Sequence, residues 1–437
     1  MGDTAKRARA GASDDPAMSS MFRLSAKNLP RQAAMHHIRP VRTYREIFGI
    51  PEFRMLFVAR SFFMAGVVLG GLALGTLIYQ TTGSPVLTAL AMFGGPLVQL
   101  VTSHFLLATA DLLRPRSAMV LVGLTAGATD LLQMIPGMAW GWRFGLLAVS
   151  YVVAAATSGT VIGLLSDLVP PEAFVLGRAT LNITVGGMQV LGNALGAVLL
   201  LDMSTSQLFF LSGTVGIVGA LVARLGLGDH PPRATGRVLR RTREVNRALF
   251  SSPVVRPIYL MMWVPNGLVV GCEALFIPYA ADHAGYLFGA GALGMLAGDV
   301  VVGRFVPEAL RDRLILPLRL LLAVRFLIFA LHPPLWLACG LAFVASFGYP
   351  AALPIQERLV GQTAPDSRGQ VFGLAGAGLM LGQAFGAVLA GVVAQYLGGG
   401  SVMAGRTMLV MAVLSLVATF AVLPGLRRSD PALVSLA

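Results

Sequence analysis

Long apolar runs, separated by short polar or glycine- and proline-rich breaks, recur along almost the whole chain. A hydrocarbon layer about 30 Å thick takes roughly 20 mainly apolar residues of helix to cross, and twelve runs approach that length. The first six are Met55 to Tyr79, Val86 to Ala110, Ala118 to Met138, Phe144 to Leu165, Thr180 to Leu201 and Gln207 to Leu227. The last six are Ile258 to Ala281, Tyr286 to Val306, Leu314 to Leu331, Leu335 to Ile355, Val371 to Leu397 and Thr407 to Leu423. The ninth is the weakest, because Arg319 and Arg325 interrupt it. A closed barrel is the only other way to satisfy backbone groups in lipid, and these runs are too long and lack its two-residue alternation. The pattern predicts an all-α membrane protein of twelve transmembrane helices. Its divisions are a basic disordered tail (1–50), a six-helix bundle (51–228), a basic cytoplasmic linker (229–256), a second six-helix bundle (257–427) and a short tail (428–437).

Composition agrees with that pattern. Of 437 residues, 56% are hydrophobic and only 12% charged, against about 25% charged in a soluble domain. The first apolar run follows roughly fifty polar and basic residues, so no cleaved leader is expected. Cys272 and Cys339 each sit in an apolar run and build neither a disulfide framework nor a metal site.

The formal charge of +13 is almost all arginine, Lys6 and Lys27 being the only lysines. Placing the N-terminus in the cytoplasm puts 29 of the 33 basic residues on that side. Arg143 and Arg406 then lie outside, and Arg60 and Arg325 within spans. This positive-inside bias predicts a multi-pass inner-membrane protein with both termini cytoplasmic. It removes nucleic acid as a partner and leaves anionic lipid headgroups as one for the tail and linker.

The two sets of six repeat each other. A shift of 190 residues lays Arg178 on Arg368, Gly186 on Gly376 and LGNALGAVL (Leu191 to Leu199) on LGQAFGAVL (Leu381 to Leu389), with nine of 22 positions identical. It also lays Asp167 on Glu357. Parallel six-helix repeats about an axis along the membrane normal are a transporter architecture, with substrate held between the halves.

On these residues the chain resembles the major facilitator superfamily, in particular its bacterial efflux branch of drug, macrolide and siderophore exporters. The resemblance runs from about Tyr44 to Arg428 and rests on FRMLFVARSFFMAG, ALGTLIYQTTGS, VPPEAFVLGRATLN and, most specifically, APDSRGQVFGLAGAGLMLGQAFGAVLAG. Three features depart from it. The loop LATADLLRPR keeps Asp111, Arg114 and Arg116 but lacks the leading glycine. GNALGA carries Asn193 where the antiporter pattern has proline. The first span has no acid near Gly66. The resemblance implies the major facilitator fold and secondary export, with protons as the coupling partner and a small hydrophobic or amphipathic molecule as substrate. The transporter is expected to work as a monomer.

Neither lysine follows a glycine as a phosphate-binding loop requires, so no built-in ATPase, cofactor or metal is expected, and no catalytic set is apparent. Ionisable groups inside spans are functional candidates by default. Glu273 is read as a proton or substrate group, or as a carboxylate hydrogen-bonded near the outer interface. Asp130 is read as a structural tie or a proton site. Arg325 is expected to need a carboxylate or carbonyl partner. Arg60 is shallow enough to snorkel. Tyr151, Gln189, Asn266, Trp263, Tyr349 and Gln383 are polar groups expected to face the cavity or, equally, to make hydrogen bonds between helices, and Pro265 is expected to bend the seventh span. Asp111, Arg114, Arg116, Asp167, Arg178, Glu357 and Arg368 form a candidate cytoplasmic gate, the other reading being local caps and ordinary positive-inside charge. An importer or uniporter of the same fold, or a non-transporting receptor or scaffold, remains an alternative.

Overall fold

The computed structural model describes residues 44–106, 113–170, 173–231, 250–362 and 368–428, and every regular element among them is a helix. The first six predicted runs correspond to Pro51–Thr82, the pair Pro85–Phe93 and Gly95–Leu106, Pro115–Leu132, the pair Trp140–Ala156 and Ser158–Leu168, Phe174–Asp202, and Thr205–Gly226. The last six correspond to Val255–Glu273, Ala284–Phe305, Ile315–Val324 with a tighter 3-10 turn over Arg325–Leu331, the pair Leu335–Ser346 and Ala352–Gly361, Arg368–Tyr396, and Gly400–Arg428. Among the described residues eight stretches are long and apolar enough to cross a membrane, nine if the two pieces of the second span count as one. Helices also occupy the third, fourth and fifth predicted positions.

Local chemistry sets the ends and breaks. Pro51, Pro85 and Pro115 open the first three spans, where a missing N–H costs nothing. Gly83, in the left-handed region at φ 61°, closes the first. The second span bends by 59° at Gly94, because Pro96 gives no N–H to the Met92 carbonyl and crowds it. Pro350 stops the tenth span's first helix at Ser346 in the same way. Pro265 lies inside a helix that continues to Glu273. Tyr44–Ile47, within the stretch assigned to the tail, form a short helix whose Ile47 packs in a core with Phe53 and Leu56.

Contacts reproduce the repeat. In the first half the first span packs on the fifth and sixth, the third on the sixth, and the second on the fourth. In the second half the seventh packs on the eleventh and twelfth, the ninth on the twelfth, and the eighth on the tenth. The halves meet along the second and eleventh spans and along the fifth and eighth. Close approach depends on glycine at the seventh–eleventh crossing, where a Cβ on Gly386 would fall 1.8 Å from the Gly267 carbonyl oxygen.

One end of the molecule joins the halves directly. Ser84 Oγ donates to Gln395 Oε1 at 2.6 Å, and the Tyr79 hydroxyl donates to the Pro278 carbonyl at 3.3 Å. Ala89, Ala274 and Ala387, from three spans and both halves, form a small apolar cluster nearby. Trp142, Trp336 and Tyr396 project at this end, each at least three-quarters exposed, as aromatic rings do at a membrane interface.

Candidate functional site

Among the described residues, each half holds a half-buried carboxylate between its helices, Asp130 in the first and Glu273 in the second. In the first half, Asp130 lines a cavity of about 50 Å³ walled by the first, second, third, fourth and sixth spans, room for a few waters. Ser212 of the sixth span is hydrogen-bonded to the Asp130 carboxylate and lies 2.9 Å from the Gly66 carbonyl of the first. Gly70 makes the space, since a Cβ there would meet both the carboxylate and the Ser212 hydroxyl at 2.9 Å. Tyr151 lines the same cavity, within electrostatic reach of Asp130. At the neighbouring turn, Arg143 is buried and bonded to the carbonyls of Gln133, Ile135 and Met138, so it fixes the third–fourth connection. Both readings of Asp130 meet here, because it ties helices together and also faces a polar cavity.

In the second half, Glu273 accepts a hydrogen bond from the Tyr349 hydroxyl at 2.8 Å. Tyr349 is therefore spent on joining the seventh and tenth spans. Arg319 of the ninth span is buried, at 4% exposure, with its Nε unbonded, and lies within electrostatic reach of Tyr349. Arg319, one of the 29 basic residues counted on the cytoplasmic side, lies within the ninth-span helix and is packed inside the bundle.

The other polar candidates divide. Trp263 Nε1 donates to the Ala375 carbonyl at 3.0 Å, tying the seventh span to the eleventh. Asn266 is buried with its amide nitrogen unbonded. The neighbouring Pro265 carbonyl accepts from Ser415 of the twelfth span at 2.9 Å. Arg325 was expected to have a partner; its Nε is buried and has none among the described residues. Arg60 Nε is likewise buried without one. The side chain of Gln189 lies outside what is described.

At the opposite end from Ser84, Arg114 pairs with Asp229, Arg116 lies 3.7 Å from the same carboxylate, and Glu52 pairs with His230 at 2.9 Å. In the second half Arg311 pairs with Glu357 at 2.8 Å, and Arg358 pairs with Asp312 while donating to the Leu426 carbonyl. The first three contacts hold Asp229 and His230, at the start of the linker, to the first bundle, and the last two lie within the second half. Asp167 is half-buried; Asp111 and the side chains of Arg178 and Arg368 lie outside what is described. The sequence pattern does not single out Glu52, Asp229, Arg311 or Asp312. Glu52 and Asp229 are acids just beyond an arginine-rich span end, a signal that charge alternation there carries.

Residues 274–435 match the family model described as Major Facilitator Superfamily. No curated protein matches the chain. Solved structures share its fold. One is a bacterial homolog of the human lysosomal transporter Spinster, 13% identical with a TM-score of 0.65 over 88% of this chain and 97% of that one. A POT family transporter in complex with 5-aminolevulinic acid is 12% identical, with a TM-score of 0.64 over 90% and 99%. The nucleoside transporter NupG is 13% identical, with a TM-score of 0.60 over 85% and 99%. The chain from residue 274 to 435 thus matches the family, and the fold of the chain is the major facilitator fold.

Proposed function

We propose that this protein is a secondary active transporter that exports a hydrophobic or amphipathic small molecule across the inner membrane by alternating access, driven by protons. The observation that carries the reading is the pairing of two repeated bundles that join at one end through Ser84, Gln395, Tyr79 and Pro278, each bundle holding a carboxylate among its helices. With both termini cytoplasmic, that joined end faces away from the cytoplasm. Rocking of one bundle against the other about the second–eleventh and fifth–eighth seams then exposes the space between them alternately. Glu273 and Asp130 are the proton candidates, since intramembrane carboxylates mark proton relays. Asp111, Asp167, Arg178 and Arg368, with Arg114, Arg116 and Glu357, remain the proposed cytoplasmic gate.

Import or uniport on the same fold is the second reading, favoured by Asn193 in GNALGA where the antiporter pattern has proline. Accumulation of a compound panel in an efflux-deficient host, with and without a protonophore, decides between them. Protonophore-sensitive exclusion of one compound class supports export; unchanged levels across a broad panel remove it. Glu273→Gln is expected to abolish uphill transport while the protein still reaches the membrane, and undiminished uphill transport by that variant removes Glu273 from the mechanism.

A further inference from the structure

The Ser212 hydroxyl stands between two acceptors. One is the Gly66 carbonyl, 2.9 Å away on the first span, and the other is Asp130 on the third. A hydroxyl has one hydrogen to give, so it cannot serve both while Asp130 is ionised. A proton on Asp130 completes the set: the carboxyl donates to Ser212 Oγ, and Ser212 donates to the Gly66 carbonyl. Without that proton, Ser212 turns to the carboxylate and its link to the first span is lost, while the Gly66 carbonyl keeps only what its own helix supplies.

We infer that the cavity around Asp130 is a proton-binding site whose loading switches a hydrogen-bonded chain across the third, sixth and first spans. The surroundings favour a proton over a metal cation or an organic ion. No basic side chain is among the cavity's described lining residues, and Tyr151 on the fourth span is the only other titratable one. Among the described lining residues, the first, second and sixth spans present no charged group to it. Arg143, on the fourth span, is spent on backbone carbonyls. Thr129 donates to the Thr125 carbonyl and lies 2.5 Å from Ser150, so the Ser150 hydrogen is spent on Thr129 and not on Asp130. The Gln133 amide is engaged with Arg143. What favours a proton is Ser212 itself, whose two acceptors call for one more hydrogen between them.

Proton binding stands on this geometry, and its use in transport rests on the reading above. Infrared difference spectra of the purified full chain in nanodiscs, taken between acid and alkaline pH, test it. Asp130→Asn is expected to remove one protonated-carboxyl C=O band, and Ser212→Ala to keep that band but shift its frequency and its midpoint pH. A difference spectrum unchanged by Asp130→Asn overturns the site. So does a band that sodium chloride displaces at fixed pH where choline chloride does not, since that marks a metal-cation site. Proton flux and substrate flux measured in proteoliposomes separate the two proposals. An intact Asp130 band with substrate flux indifferent to the pH gradient leaves the site standing and removes proton coupling. Proton-driven flux with no Asp130 band does the reverse.

Discussion

The ring of Tyr151 lies on the backbone of Gly95, where an added methyl group would sit 1.9 Å from Tyr151 Cζ. Gly95 begins the second helix of the bent second span, so the bend and the missing side chain together seat Tyr151 in the cavity with Asp130. Gly95→Ala is expected to displace the ring and to cost about 1–3 kcal/mol, the usual range for overpacking. Thermal unfolding of the detergent-solubilised protein measures it. An unchanged midpoint would show that the ring has another place to go.

Tyr349 and Glu273 should behave as a coupled pair. Tyr349→Phe leaves the carboxylate without its donor, and hydrogen bonds to charged groups contribute about 1.5–3 kcal/mol. A double-mutant cycle with Glu273→Gln is expected to return an interaction energy above about 0.5 kcal/mol. Additive losses would mean that the 2.8 Å contact contributes nothing of its own.

The charged ends of the two halves should differ in weight. Arg358 is only 11% exposed in its side chain and binds both Asp312 and the Leu426 carbonyl, whereas the Arg114 side chain is 59% exposed beside Asp229. Arg358→Ala is expected to lower stability by a few kcal/mol, as for a partly buried pair that loses one partner. Arg114→Ala should cost under about 1 kcal/mol, as exposed pairs do. Equal effects in a denaturation series would contradict this ranking.

Holding the joined end shut should stop transport. Ser84→Cys with Gln395→Cys, in a Cys339→Ser background, brings two thiols to the Ser84–Gln395 contact for a short bismaleimide. Cross-linked protein is expected to bind substrate but to lose nearly all turnover, while a singly modified control keeps it. Full turnover after complete cross-linking would mean that this end does not open.

Much of the architecture is legible in the chain because length and apolar runs decide it: the helices fall on the predicted spans, and their packing follows the repeat seen between LGNALGAVL and LGQAFGAVL. Asp130 and Glu273 are legible as acids inside helical spans for the same reason. Their partners are not. Ser212 is one serine in an apolar helix, and nothing in the run reveals which way that helix is turned. The same missing rotation leaves open, from sequence, whether Trp263 and Tyr349 face a cavity or bond across helices; each spends its polar atom on a neighbouring helix. Arg319 was legible as an interruption of the ninth run, but only the packing decides whether a long side chain reaches outward or folds in.

The seventh and eleventh spans touch through bare backbone at Gly267 and Gly386, and a contact without side chains has no rotamers to absorb a displacement. Such a joint has almost no backlash. Whatever tilts the seventh helix, which carries Glu273, is handed on at nearly full stroke to the eleventh, and the eleventh is the helix that bears on the second span of the other half. In the proposed rocking motion the crossing would act as a rigid linkage, carrying a change of charge at Glu273 to the seam between the bundles.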